Sequence, residues 1–502
     1  MEETTDVKDR ITELPENVIY HIIRQVGRCN LKEAARTCVL SKTWNRLWTL
    51  RPDLMFDQCS HSSFRSLEKF VKFVDDSLEP YVKEKLSIDS FILRQLRHPE
   101  LASHLDRWTN MAIKHNVREL EIDMGALYYN VPDTIYAGKT LTKLWLWMCN
   151  FEKDNSTSTT NKLQRLISTC PFIRDLKLDR CRGIQNLHVF GLVNLENLEL
   201  SECEGLEKLQ IQAPNLRKFV YVGVPLYKQQ KKREVELLPC KIDILDGYKT
   251  LEILSLEAST MTDQQFEHQC SKFSALKELE LRRCYTMKNI VIASEKLKIF
   301  SLSHWMNLEQ VKMLTPNLME FNFVGCKMPF STMNPYSLEE ADLDFQPPTL
   351  SKSYFGDVDT FWYNNLQDFV KKFNYSKGLI LVIHCEKNKS ILIYEDAREV
   401  LVPPVRELQL LITPMKTPTH LELLVDDLMS WDPNIISIVP CTDSKILQAL
   451  RQNVTGNVEK ENGEPNKVRI FKGAAAVEGT SNLYTWLKST SLIEKITTFM
   501  FK

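Results

Sequence analysis

The middle of this 502-residue chain repeats itself. Leu141-x-x-Leu144-x-Leu146-x-x-Cys149 recurs as Ile173-x-x-Leu176-x-Leu178-x-x-Cys181 and again at Leu195, Leu198, Leu200 and Cys203. Looser copies stand at Leu216, Phe219, Tyr221 and at Leu251, Leu254, Leu256, and the full form returns at Leu276, Leu279, Leu281, Cys284. Leu297, Phe300, Leu302 and Leu318, Phe321, Phe323, Cys326 continue it; an earlier copy is Val117, Leu120, Ile122, and a frayed one is Leu338, Ala341, Leu343. Successive starts lie 24, 32, 22, 21, 35, 25, 21, 21 and 20 residues apart. The Leu-x-Leu pair sends two side chains to one face of a short strand, because strand side chains alternate. One such unit cannot hide its leucines from water, whereas a stack of parallel units can. The periodicity therefore demands a one-dimensional array.

These spacings fall in the leucine-rich-repeat range, and the predicted fold is an α/β solenoid with a parallel sheet. The two long intervals hold insertions, one the Ser/Thr-rich stretch at 155–161 and the other residues 228–233, both suited to polar loops. Pro171, Pro214 and Pro316 recur at or before repeat starts, where they end a helical or irregular return segment. The cysteine closing the strand, at Cys149, Cys181, Cys203, Cys284 and Cys326, takes the turn position that other repeat classes give to Asn. Buried free cysteine packs as a small hydrophobe, so a structural role is expected there.

A repeat array also explains the length, since its core grows along one axis while a single globular core stops growing well short of 502 residues. Lys plus Arg number 64 against 65 Asp plus Glu, a balance that exerts no general pull toward nucleic acid or an anionic membrane. No apolar run is long enough for a membrane span, and residues 1–10 are polar with no secretory apolar core. Thirteen cysteines, none at Cys-x-x-Cys spacing, argue against a disulfide framework or a structural zinc site, so the expected setting is intracellular, nucleus and/or cytoplasm. No phosphate loop, His-Glu-x-x-His or Gly-x-Ser-x-Gly occurs, and His384 beside Cys385 reads as a core or edge residue. No cofactor or metal is expected, and the chain reads as non-catalytic.

The head of the chain has a different period. Pro15 opens a helix whose apolar residues are Val18, Ile19, Ile22, Ile23 and Val26, with Gly27 as its stop. Asn30 and Glu33 resemble a capping pair for a second helix bearing Leu31, Ala34, Ala35 and Cys38. Ser41 can cap a third that sets Trp44, Leu47 and Trp48 on one face. Three such short helices carry more apolar surface than they can hide among themselves. Either the surplus docks on another chain, or the trio is a helical cap on the repeats.

Residues 9–50 resemble an F-box, the module that docks on the Skp adaptor of Skp–cullin–F-box ubiquitin ligases. The matching positions are Leu14, Pro15, Ile19, Ile22, Ala35, Cys38, Leu40, Trp44, Leu47 and Trp48, and the run Leu40-Ser41-Lys42-Thr43-Trp44-Asn45-Arg46-Leu47-Trp48 is similar to the plant version. An F-box followed by cysteine-marked repeats is similar to the plant family of F-box/leucine-rich-repeat proteins. That resemblance implies a three-helix F-box at 1–50, a curved repeat array at 51–346, a Skp-type adaptor and through it a cullin as partners, and a protein target held by the repeats for ubiquitination.

After residue 346 the repeat fades, and 347–502 read either as irregular further repeats or as an α+β cap. Strands are expected at 379–383, 391–394, 408–412 and 421–425, helices near 362–373 and 484–501, and an exposed loop at 452–467. The candidate working surface is the inner sheet face, reached by the residues that flank the central leucine: Trp145, Trp147, Lys177, Asp179, Glu199, Ser255, Glu257, Glu280, Arg282, Asn322, Asp342 and Asp344. Trp145 and Trp147 are either exposed for a partner or covered by the 155–161 insertion. Two alternatives to a ligase adaptor stay open: a small-molecule, hormone-like receptor on the same scaffold, for which Lys231, Lys232 and Arg233 could meet an anion, and an interaction scaffold independent of any ligase.

Overall fold

The computed structural model describes residue 11 and residues 14–345 apart from 30, 60–65, 126, 152–161, 227–235, 238, 246–248, 306–307, 326–329 and 334–337. Beyond 345 it describes the backbone of the strands Val358–Asp359, Gly378–Cys385, Ile391–Leu392, Glu407–Ile412, Ile435–Val439 and Lys467–Ile470. The insertions at 155–161 and 228–233, Cys326, the expected strand at 421–425, the helices at 362–373 and 484–501 and the loop at 452–466 lie outside the described residues. The chain divides into two compact units, Met1–Val220 with Cys240–Gly247, and Tyr221–Pro239 with Tyr248–Lys502.

In the first unit three helices, α1 (Glu16–Cys29), α2 (Leu31–Arg36) and α3 (Lys42–Thr49), precede a parallel sheet. Its strands are Asp53–Asp57, Ser90–Arg94, Glu119–Asp123, Lys143–Trp147, Asp175–Asp179 and Asn197–Ser201, paired in that order. The Leu-x-Leu residues stack in register: Phe91, Leu120, Leu144, Leu176 and Leu198 form one buried line, and Leu93, Ile122, Leu146, Leu178 and Leu200 another. In the second unit Ile253–Glu257, Glu278–Arg282, Ile299–Trp305, Glu320–Gly325 and Glu340–Phe345 do the same, with Leu254, Leu279, Phe300, Phe321 and Ala341 in line. Parallel pairing runs on past residue 346 through Gly378–Cys385, Glu407–Ile412, Ile435–Val439 and Lys467–Ile470.

The return legs depend on how many residues are available. Intervals of 20–22 residues bring the chain back as a short second strand, as in Asn186–Val189, Lys208–Ile211, Asn289–Ala293 and Gln310–Leu314. Their side chains alternate, with Leu187, Val189, Leu209, Ile211, Ile290, Ile292, Val311 and Met313 all inside. Two longer intervals hold helices, Lys162–Thr169 in the 32-residue interval and Asp263–Cys270 in the 25-residue one, while the 35-residue interval contains the strand Lys241–Ile244. A helix advances only about 1.5 Å per residue against about 3.3 Å for a strand, so the same return distance takes about twice the chain. The longest return helices among the described residues, Leu67–Glu84 and Ala102–Lys114, carry buried Phe70, Val74, Leu78, Tyr81 and Leu105, Trp108, Ala112 on their inner faces.

Three of the repeat cysteines tie their repeat to the one before. Cys181 Sγ donates to the Leu146 carbonyl at 3.4 Å, Cys203 to Leu178 at 3.7 Å and Cys284 to Leu256 at 3.4 Å. The residue just before each cysteine turns the chain through a left-handed conformation: Met148 (φ 54°), Arg180 (48°), Glu202 (48°) and Arg283 (53°). Such a turn costs a non-glycine residue about 1 kcal/mol, and the thiol bond and buried neighbours hold it.

Burial pushes the Cys181 and Cys203 thiols well above their ordinary value and Cys284 up to about 12, so they are neutral at physiological pH. Two results are expected. Iodoacetamide at pH 8 labels exposed Cys59 while Cys181, Cys203 and Cys284 stay unmodified until denaturant is added, as read by site-resolved mass spectrometry. The unfolded chain loses these thiol protons near pH 9 and the folded chain holds them, so the contribution is complete below about pH 9 and is lost as pH rises toward 12. Equal labelling of all four cysteines would contradict this placement.

Candidate functional site

The helical trio closes a core of its own. Ile19, Ile23 and Trp44 are fully enclosed, with Leu14, Ile22, Leu47 and Trp48 half-buried against them. α1 starts on the Pro15 carbonyl, which accepts from Val18 and Ile19 N–H, and it passes through Gly27 to Cys29 instead of stopping at Gly27. A glycine inside a helix costs about 1 kcal/mol, too little to end it, and here it lies over buried Ala34 of α2. Ser41 caps α3 as its sequence predicts, its hydroxyl accepting from Trp44 N–H at 3.3 Å. The Trp44 indole N–H donates to the Ile11 carbonyl at 3.3 Å.

Ile19 and Trp44, two of the positions expected to meet the adaptor, are buried in this core. Trp48 turns toward the repeats: the Arg51 guanidinium lies 3.8 Å from the centre of its ring, and Arg51 also donates to the Trp48 carbonyl at 2.7 Å. Around that junction Arg24 pairs with Asp53 at 3.0 Å, the Tyr20 hydroxyl donates to Asp53, and the Tyr81 hydroxyl donates to the Arg51 carbonyl. Burial first, then Asp53, raises Tyr20 well above the ordinary tyrosine value. These contacts latch the trio to the first repeat strand and leave a small cavity of about 100 Å³ lined in part by Ile23, Gly27, Trp48, Met55 and Ile92.

Other members of the set do face solvent. Leu40 is 42% exposed and Pro15 is exposed, while Ala35 and Cys38 are half-buried. Two residues outside the matched set join them, Val39 at 87% and Val18 at 38% exposure. Thr37–Val39 form a single 3₁₀ turn leading into Leu40. Three residues per turn spread consecutive side chains about 120° apart, so Cys38, Val39 and Leu40 cannot all point inward. Three successive apolar residues at that turn were the readable signal.

The sheet face of the first unit is a second surface. Trp145 and Trp147 stand 39% and 38% exposed on Lys143–Trp147, flanking buried Leu146. Register places Glu121, Trp145, Lys177 and Glu199 side by side, and Asp123, Trp147 and Asp179 beside them. Lys177 lies 5.8 Å from the centre of the Trp145 ring and pairs with Glu199 at 3.1 Å, and Lys218 reaches the same carboxylate at 2.6 Å. Arg180 lies 5.8 Å from the centre of the Trp147 ring and pairs with Glu202 at 2.7 Å. The flanking pattern missed Glu121 and Asp123, which occupy the same rows one strand earlier, and Arg180, which sits on the turn.

In the second unit Ser255, Glu280, Ser301, Asn322 and Asp342 form one row and Glu257 and Arg282 begin the next. Arg282 pairs with Glu280 at 2.7 Å and Glu257 at 3.5 Å, and Ser255 donates to Glu280 at 2.8 Å. Much of the acidic excess of the face is thus met inside the sheet. Asp344 is described only as backbone of Glu340–Phe345, and Lys231, Lys232 and Arg233 lie outside the described residues. Among the described residues no group of His, Cys, Asp and Glu is placed to hold a metal, and no helix is long and apolar enough to cross a membrane.

The family described as "At1g61320/AtMIF1, LRR domain" matches residues 83–241 and 233–352. The relatives described here are from Arabidopsis thaliana. F-box/LRR-repeat protein 25 is 25% identical over 228 residues, 41% of this chain and 83% of that protein. FBD-associated F-box protein At5g60610 is 27% identical over 303 residues, 55% of this chain and 70% of that one. FBD-associated F-box protein At1g66310 is 27% identical over 230 residues, 44% of this chain. The chain spans about half the length of several relatives it matches, 50%, 46% and 48% in three cases.

Proposed function

The chain belongs to the plant F-box/leucine-rich-repeat family, with repeats of the At1g61320/AtMIF1 kind, and on that premise we propose that it is the substrate-recognition adaptor of a Skp–cullin–F-box ubiquitin ligase. α1 to α3 dock on a Skp-type adaptor, the adaptor joins a cullin, and the repeat face holds the protein to be modified. The chain forms and breaks no bond itself. It raises the effective concentration of a target lysine near a ubiquitin-charged enzyme that the rest of the assembly supplies.

The observation that carries this reading is the mismatch within the trio. Its core is already closed by Ile19, Ile23 and Trp44, yet Val39, Leu40 and Val18 remain in water. Adjacent apolar side chains left exposed on a small body whose own core is closed support a docking role. Mixing the full chain with a purified Skp-type adaptor should give a one-to-one complex on size exclusion, joined by cullin when it is added. Separate elution of the two proteins contradicts the reading and favours a ligase-independent scaffold.

The receptor alternative has one feature in its favour, a cleft of about 500 Å³ lined in part by Asp106, Tyr128, Tyr129, Asn130 and Arg182. Its polar groups already engage one another. Tyr129 donates to Asp106 at 2.6 Å and the Arg182 guanidinium covers the Tyr128 ring at 4.1 Å. A ligand would have to break those contacts, so the protein-docking reading stands first.

A further inference from the structure

The sheet face of the first unit is not electrically uniform, and the difference falls between the two tryptophans. On the Trp145 side each carboxylate has its own cation. Arg94 grips Glu121 with two nitrogens, one of them at 2.9 Å, and Glu199 is held by both Lys177 and Lys218. On the Trp147 side Asp179 and Glu202 share Arg180, which is 2.7 Å from Glu202 and 4.0 Å from Asp179. Asp123 spends its oxygens on backbone, accepting from Gly125 N–H at 2.8 Å and Gln95 N–H at 3.3 Å. Burial holds the Asp179 carboxyl above its ordinary value in spite of Arg180 and Lys177, and Glu202 and Asp123 push it the same way. The local shortage is of positive charge.

The indole between those acids has the matching preference. Trp147 lies in register with Asp123 on one side and Asp179 on the other, so acidic residues occupy both neighbouring strand positions, roughly 4.8 Å away backbone to backbone. The electron-rich face of an indole attracts cations, guanidinium above all. The protein's own side chain follows this preference, with the Arg180 guanidinium 5.8 Å from the centre of the Trp147 ring. Arg180 also answers to Glu202, so one guanidinium serves two acids and an aromatic face.

We propose that the strand Lys143–Trp147 is the docking surface for a basic segment of the partner protein, one of whose arginine or lysine side chains lies on the Trp147 indole between Asp123 and Asp179. Trp145, whose neighbourhood is already neutral, contributes apolar contact beside it. The inference rests on the reading of the repeat face as the target-binding side, and it adds the chemistry of what is bound. Arg180 is then an internal competitor that the incoming cation displaces from the ring.

The test uses the full chain and a fluorescent decapeptide of alternating Arg and Gly, with the Glu-Gly peptide of equal length as control, followed by polarisation at about 150 mM salt. The Arg peptide should bind and the Glu peptide should not. Trp147→Ala should weaken the Arg peptide at least about tenfold and Trp145→Ala by less, since a buried aromatic anchor dominates such contacts. Asp179→Asn, which keeps shape, should weaken it about fivefold. Arg180→Gln should tighten it, because the competitor is gone. Equal binding of the two peptides, or an Arg180→Gln variant that binds no better than the parent, overturns the proposal. Unchanged melting temperatures check that each variant is folded. Each variant should still bind the Skp-type adaptor, so failure on this face is distinguishable from failure of the helical dock.

Discussion

Phe300→Ala should cost the second unit about 3–5 kcal/mol of stability. Phe300 is wholly buried and stacks on Phe321 with ring centres 5.6 Å apart, and Phe321 in turn stacks on Phe323 at 6.5 Å. It also lies in register with Leu279 on one neighbouring strand and Phe321 on the other. Truncation leaves a cavity shared by three repeats that the backbone ladders prevent from collapsing. In a solenoid the loss travels to nearest neighbours before it reaches the ends. Hydrogen exchange should therefore accelerate first in Glu278–Arg282 and Glu320–Gly325. The control is Phe172→Ala, at a turn position 56% exposed, which should change stability by less than about 0.5 kcal/mol. Guanidinium unfolding monitored by circular dichroism measures both, and similar costs at the two sites would mean that the stacked lines are not the core.

The same lines explain what could be read from the sequence. Leu-x-Leu repeats were legible because each copy is a short local pattern and most intervals are 20–25 residues. Two earlier repeats escaped notice although they carry the pattern, Leu54 with Phe56 and Ile88 with Phe91 and Leu93. Their returns are the long helices Leu67–Glu84 and Ala102–Lys114, which stretch the interval beyond the period that the later copies establish. The β character of the short returns was likewise hidden. Leu187-x-Val189 and Ile290-x-Ile292 alternate over only three residues, too few to separate a strand from an irregular turn.

The apolar residues of the trio were legible, but not which of them face solvent. An apolar stripe on each of three short helices does not say which residues meet one another and which meet solvent. Ile19 and Trp44 went inside, Trp48 turned to Arg51, and Val39, never part of the matched pattern, proved the most exposed of all. On the sheet face the alternation correctly put Trp145 and Trp147 outward. The pairing of Glu199 with Lys177 and Lys218, on strands 22 and 19 residues away, needed coordinates.

The second large effect concerns adaptor binding. Val39 and Leu40 give the trio no core contact that it needs, being 87% and 42% exposed, so charging them should leave the fold intact. In a complex the same two side chains would be pressed against another apolar surface. An aspartate buried there must be stripped of water without a partner, which costs several kcal/mol. Val39→Asp combined with Leu40→Asp should therefore reduce adaptor affinity at least about hundredfold, close to 3 kcal/mol, with an unchanged melting temperature. The conservative pair Val39→Ala with Leu40→Ala should fall between, losing contact area but burying no charge.

Calorimetric titration of a purified Skp-type adaptor into the full chain, run in parallel on the parent and on the Val39→Asp, Leu40→Asp variant, bears most directly on whether the helical trio is a partner-binding edge. The prediction is a saturable one-to-one isotherm for the parent and heats indistinguishable from dilution for the variant. An isotherm that survives the double substitution, or a parent that takes up no adaptor, contradicts it.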